Sequence, residues 1–293
     1  MCPAMRSRWI FALPMMALLL PAVSLRAQNQ SSQGHAQGTG NDQHGNDPND
    51  EELAKEVQNP LADLIQVQVG NDFGFGGGTG NRLQYLMTLQ PVIPIKLSND
   101  WNLITRSTFN AVSMPDFDSE TARTTGASDL AMEFYFSPHQ STSVVWGFGP
   151  ALAVPTASEP SLGTGKWSLG PGFAVIKQTE HWTYGLVANH VWSFAGNQNR
   201  ENVSSTFIQP ALYYTWGSGW TLGVDTETTY DSLAPRGEKW TVPVQIAISK
   251  VTNFLGRPVN FSLGIIPYAV APPGSPSVAI DFTVTPLFPR NPG

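Results

Sequence analysis

Asp225 and Glu227 stand two residues apart, a spacing that puts both carboxylates on one face of a strand. Paired carboxylates can do acid–base work, but nothing near them in the sequence supplies a substrate cleft, so solvated charge is the expected role. Two histidine–serine neighbourhoods suggest ester hydrolysis: His139-Gln140-Ser141, and His190 with Ser193. The first falls on a short turn. In the second, alternation sends the two side chains to opposite faces, out of hydrogen-bonding reach. Gly74-Phe75-Gly76-Gly77-Gly78 is glycine-rich, yet no lysine–serine pair and no helix follow, which argues against a phosphate-binding loop. His35 and His44 lie isolated in a polar tract and fall short of a metal ligand set. The expectation is no catalytic residue, no metal, no cofactor and no enzyme.

The elements that hold these residues follow from composition and periodicity. Only 13% of the 293 residues are charged, 11% are aromatic, and mean hydropathy is −0.14. No run approaches the ~20 apolar residues of a spanning helix. A transmembrane β-barrel has this same averaged profile, because its lipid-facing and lumen-facing residues alternate and cancel. Residues 1–27 read as an export signal: Arg6 and Arg8 precede the apolar stretch from Trp9 to Leu20, and small residues follow. The only cysteine, Cys2, falls inside it, so the mature chain would have no disulfide. Arg26 also falls there, leaving the mature chain more acidic than the −6 of the whole and without a basic stripe for nucleic acid. Residues 28–49 are a low-complexity, disordered tether of Gln, Gly, Asn, Ser and Asp. Residues 50–60 follow as a short periplasmic helix and its stop, with Asp50 placed to cap and Asn59-Pro60 ending it.

From residue 61 to 288 the period is two. Trp220, Leu222, Val224, Thr226, Thr228 and Tyr230 oppose Thr221, Gly223, Asp225, Glu227 and Thr229. Leu130, Met132, Phe134 and Phe136 likewise oppose Ala131, Glu133 and Tyr135. Twelve such stretches follow one another: 62–73, 82–96, 101–112, 127–137, 142–154, 165–177, 182–194, 204–216, 220–230, 238–249, 258–268 and 277–288. Short turns alternate with mostly longer loops, among them 113–126, 155–164 and 195–203. The expected fold is all-β: a transmembrane antiparallel up-and-down barrel of about twelve strands, with 289–293 as a tail. Trp101, Trp182, Trp192, Trp216, Trp220 and Tyr230 fall at strand ends, where amphipathic rings would form membrane-interface girdles. Prolines 91, 94, 150, 171, 210, 243, 267 and 286 fall inside strands, and bulges are the expected accommodation.

Three blocks carry a family resemblance: Asn59-Pro60-Leu61-Ala62-Asp63-Leu64-Ile65, Gln90-Pro91-Val92-Ile93-Pro94-Ile95, and Asp100-Trp101-Asn102-Leu103-Ile104-Thr105-Arg106. With the closing Leu287-Phe288-Pro289-Arg290, they resemble a bacterial outer-membrane β-barrel "transporter" family. Its members carry labels such as phenol-degradation MetA-pathway protein or, misleadingly, neuromedin U. The resemblance spans roughly residue 50 to the end. It implies an envelope barrel that passes small molecules.

Alternation places Arg82, Arg106, Glu133, Lys166, Asp225, Glu227, Lys239 and Asp281 toward the lumen as solute-contacting groups. Opposed charges there would either set up a transverse field across an open lumen or pair and hold it shut. The expected protein is a monomeric or trimeric passive pore or facilitator for small solutes, including small aromatic or hydrophobic compounds. It would sit in the outer membrane of a Gram-negative cell. Its partners would be lipid and lipopolysaccharide, the barrel-assembly machinery and the solute, with no nucleic acid. The alternatives are a non-conducting structural or adhesion barrel and, further off, an outer-membrane lipase.

Overall fold

A computed structural model describes residues 48–78, 81–115, 122–139 and 143–289. The export signal, the tether up to residue 47, Ser141 and the 290–293 end lie outside them.

Helix α1 spans Pro48–Val57. It begins two residues before the expected start, because proline suits a first helical turn that has no amide donor to lose. Asp50 therefore lies inside the first turn and not at the cap, where with Glu51 it opposes the positive end of the helix dipole. The strands are Leu64–Gly77 (β1), Arg82–Lys96 (β2), Trp101–Pro115 (β3), Arg123–Ala127 continued by Leu130–Pro138 (β4), Val144–Val154 (β5) and Lys166–Gln178 (β6). They continue as Trp182–Gly196 (β7), Ser204–Trp216 (β8), Trp220–Asp225 continued by Thr228–Asp231 (β9), Trp240–Pro243 continued by Gln245–Phe254 (β10), Arg257–Val270 (β11) and Val278–Pro289 (β12). Each pairs antiparallel with the next, and β12 pairs with β1 from Leu64↔Pro289 to Phe75↔Val278, so the sheet closes. These twelve ribbons are the twelve read from the alternation. The expected 113–126 loop is shorter than predicted: β3 runs on to Pro115, and Arg123–Ala127 folds back on it from Ala111↔Ala127 to Pro115↔Arg123.

The apolar face points outward. Phe148, Leu263, Ile265 and Trp192 are each half or more exposed, while Asp225 and Asp281 on the opposite face are buried. A water-soluble barrel would reverse this. Trp101, Trp182 and Trp220 stand outward at the short-turn end, with Trp216 beside Tyr214 (centroids 5.9 Å). At the long-loop end Trp192 is exposed and Tyr230 packs on Trp240 at 4.6 Å.

Most of the prolines need no bulge. Pro94, Pro210, Pro267 and Pro286 pair in register with Ile104, Leu186, Val278 and Val259, and a register shift adjoins only Pro243. Pro150 and Pro171 face each other directly. On their other sides the ladder lapses and resumes without slipping, between Glu133↔Ala151 and Phe136↔Phe148, and again between Leu169↔Trp192 and Gly172↔Asn189. The preceding glycines permit this. A Cβ on Gly149 would sit 1.9 Å from the Phe134 carbonyl oxygen, and one on Gly170 only 1.8 Å from that of His190. Only a residue without a Cβ lets a carbonyl that has lost its amide donor settle over the neighbouring chain.

Candidate functional site: the barrel interior

The inner wall is not uniform along the barrel axis. At the short-turn end it is apolar. Leu64, Val251 and Leu287 form a buried cluster with Leu53 and Ala54 of α1. Beside it Val92, Ile104, Tyr135, Ala174 and Val187 enclose Leu61. The helix and the turn after it thus sit inside the mouth of the barrel. Asn59 shapes that turn: its amide bonds the Glu56 carbonyl at 2.9 Å, and its Oδ1 accepts from the Leu61 amide at 3.0 Å. Polar clasps tie α1 to the rim. Lys55 Nζ donates to the Glu180 carbonyl (3.2 Å), Gln178 Nε2 donates to the Lys55 carbonyl (2.8 Å), and Glu51 lies 3.7 Å from His181. Gly219 leaves room for the fit, since a Cβ there would meet the Asp50 carbonyl at 2.8 Å. Partial burial pushes the Glu56 carboxyl above its ordinary value, reinforced by Glu52 and Asp63.

Above the helix lies a layer of charge. Arg106 on β3 is buried, and its Nη1 donates to Glu133 Oε2 of neighbouring β4 at 3.1 Å. Its Nη2 donates to Gln209 Oε1 at 3.3 Å and stands 3.7 Å from Glu227. Asn189 Nδ2 donates to the other Glu133 oxygen at 2.7 Å, and Gln209 Nε2 reaches Asp225 at 3.3 Å. On the β1–β12 seam, Asp72 and Asp281 are direct cross-strand partners. Asp281 accepts from Gln245 (2.9 Å) and Thr283 (2.8 Å). Arg106 and Gln209 join side chains of β3 and β4 to those of β8 and β9, so the layer spans the lumen.

Arg106, Glu133, Asp225, Glu227 and Asp281 therefore converge near the middle of the barrel, whereas Arg82, Lys166 and Lys239 lie toward the long loops. Arg82 Nη1 donates to the Ala122 carbonyl at 3.0 Å, and Lys239 Nζ to the Ser232 carbonyl at 2.6 Å. Lys166 is buried at the start of β6, its amide bonded to Thr164 Oγ1. Of the two expected arrangements the centre shows pairing: Arg106 bonds Glu133 on its own wall and stands 3.7 Å from Glu227 on the wall opposite. Arg106, the one cation of this layer among the described residues, is wedged among carboxylates, because a buried arginine needs a partner within hydrogen-bond reach. The bridging Asn189 and Gln209, and Asp72, were not singled out from the sequence. Their inward parity was readable; the neutral amides carry no charge signal, whereas Asp72, a carboxylate on the inward face of the first ribbon, carries the same signal as Asp281.

The charged layer divides the interior. Toward the long loops lies a chamber of about 300 Å³, walled by Ala131, Ala151, Ala153, Val191 and Phe207. Toward the short turns lie chambers of about 120 and 130 Å³, lined by glutamine, serine, threonine and carboxylate side chains and floored by Val57 and Gln58. Gln90 and Arg106 border all three. His190 and Ser193 do not meet: His190 Nδ1 bonds Thr206 (2.7 Å), and Ser193 Oγ accepts from the Val203 amide (2.9 Å).

A solved outer-membrane channel shares this architecture. An outer membrane channel from Pseudomonas putida F1 is 14% identical, with a TM-score of 0.56 over 77% of this chain and 94% of that one. The NanC porin is 11% identical (TM-score 0.49, 77% and 100% covered) and the KdgM porin 10% (0.41, 77% and 99%). At such identities the likeness is one of fold. No protein-family model matches the chain, and no curated protein does.

Proposed function

We propose that this chain is an outer-membrane channel for small solutes, held closed on the periplasmic side in the conformation described. The observation that carries the reading is the inverted wall: aromatic and aliphatic side chains outside, charged and amide side chains inside. Outward apolar surface of this extent is stable only against lipid. The short-turn end, where both chain ends of the barrel lie, is the periplasmic one, and the long loops face out of the cell. An export signal at 1–27, removed on secretion, and a periplasmic tether at 28–47 complete this placement. Lipid, lipopolysaccharide and the assembly machinery are the implied partners, and no cofactor is required.

The wide chamber opens toward the loops and is mostly aliphatic, which favours small aromatic or hydrophobic compounds over sugars. Membership in the "transporter" family fits as well. Its most specific block, Asn59 to Ile65, is the segment that turns α1 into the mouth. The solute-contacting set is Arg106, Glu133, Asp225, Glu227 and Asp281 at the layer, with Lys239 above it.

A second reading, a non-conducting barrel that displays its loops, draws support from the seated helix and the bridged layer. Planar-bilayer recordings on purified protein separate the two. Discrete steps that grow when α1 is undocked are the expected result. Silence from both the parent and the undocked form would leave the structural role.

A further inference from the structure

The wide chamber combines three properties. The greater part of its surface is apolar, from alanine, valine and Phe207. Setting aside the Arg106–Glu133 pair, its remaining charged lining is Asp129, Asp231, Glu227 and Glu238 against the single cation Lys239. Two polar atoms in the lining have no partner: Asn110 Oδ1 and Ser168 Oγ, the latter on a residue only 1% exposed. Fixed charge between low-dielectric walls acts at longer range and higher strength than the same charge in water. A buried oxygen without a partner is a standing penalty that a donor entering the chamber relieves.

We propose that this chamber is a binding site for small primary amines on an apolar body, and that it rejects the matching carboxylates. The proposal rests on the channel reading and names the solute class of that same space. The aliphatic walls of β4, β5 and β7 take the body. The ammonium brings three donors and no acceptor. Glu227, whose side chain is 55% exposed although Arg106 stands 3.7 Å from it, supplies the countercharge together with Asp231 and Glu238. Asn110 on β3 and Ser168 on β6 line the chamber, and a small rotation of either side chain would turn its unpartnered oxygen toward the ammonium as a neutral acceptor. Asp129 takes no part: Thr164 donates to it from both its amide (2.6 Å) and its hydroxyl (2.7 Å), which spends it on the 155–164 loop. An anionic head of the same shape would meet Glu227, Asp231 and Glu238 together, with its own lone pairs facing the unpartnered oxygen of Asn110.

The test is titration calorimetry on the full barrel in detergent at neutral pH, with three probes of one shape: 2-phenylethylamine, 2-phenylethanol and phenylacetate. The amine is expected to bind about tenfold or more tightly than phenylacetate, with the alcohol between them. Glu227→Gln is expected to weaken the amine about fivefold and leave the alcohol unchanged. Should that variant fail to fold, the rim pair Asp231→Asn with Glu238→Gln is expected to lower the amine preference about threefold. Phenylacetate binding as tightly as the amine, or an amine affinity indifferent to whichever variant folds, overturns the proposal. Bilayer conductance with no amine preference sinks the proposal and leaves the channel reading standing. Amine preference in a barrel that never conducts sinks the channel reading instead.

Discussion

The two halves of the interior solve opposite problems with the same twelve ribbons. The loop-side half is a wide aliphatic chamber with scattered carboxylates and unpartnered oxygens. The turn-side half is narrower, and its smaller chambers are polar. Its mouth is nonetheless lined by leucine and valine that are covered by α1. A greasy inner rim needs a cover, because apolar side chains facing a water-filled lumen gain nothing from the membrane outside. The helix is that cover, and the Arg106 layer marks where one regime gives way to the other.

The contrast breaks most sharply if the cover is removed. Leu53→Asp with Ala54→Asp places two carboxylates in the apolar cluster. Burying one leucine contributes about 2 kcal/mol, so undocking should shift the closed population at least tenfold, by roughly that energy. Single-channel recordings should show a matching rise in open time; unchanged records would mean that α1 does not close the mouth.

The layer itself is the second point of attack, larger in energy but read only as stability. Arg106→Met strands Glu133 and is expected to lower stability by about 3–5 kcal/mol, read as a fall in the heat-unfolding midpoint. Adding Glu133→Leu should recover most of the loss, since an apolar pair of similar volume replaces a buried ion pair at little net change. A double variant no better than the single would show that the layer is not held by that pair.

Smaller still is a pH effect on docking. The carboxyl of Glu56 is raised in the docked state by burial, then by Glu52 and Asp63. A raised acid binds its proton more tightly when docked, so docking is strongest below the ordinary value of 4.5 and weakens as pH rises through the raised value. Open probability should therefore climb across that window, and Glu56→Gln should flatten the climb. A parent profile already flat would remove Glu56 from the latch.

The smallest effect concerns the outside, where both halves end in aromatic rings. Trp192→Ala at the loop end, and Trp220→Ala at the turn end beside Lys250 (5.1 Å), should each lower stability in lipid by about 1 kcal/mol or less, read as a fall in the unfolding midpoint. Equal losses in a lipid-free detergent would assign the rings to packing within the wall and not to an interface.

Much of this was legible beforehand, and what was missed has identifiable causes. The twelve ribbons and the separation of Leu130, Met132 and Phe134 from Glu133 follow from parity alone, which a pleated strand obeys regardless of its neighbours; which face turns outward does not. The proline accommodation was misjudged, because close approach of Phe134 and His190 carbonyls to Gly149 and Gly170 belongs to the facing strands. The helix was legible, but its seat was not. A signal for that seat was nevertheless present. Near the turns the alternation lapses into continuous apolar runs, Pro91-Val92-Ile93-Pro94-Ile95 and Phe173-Ala174-Val175-Ile176. Such runs mark a strand buried on both faces.

Periodicity, turn chemistry and the depletion of charge determined that this chain makes twelve two-faced β ribbons, apolar on one side and polar on the other. Those are local properties, set residue by residue along each ribbon. Which charges would meet was decided only when the sheet closed. Arg106 found Glu133 on the neighbouring ribbon, but Glu227 and Gln209 came from far along the chain. The same closure decided that Leu53 and Leu61 would occupy the mouth. Contacts across a lumen depend on the shear and circumference of the barrel, and no single strand carries that information.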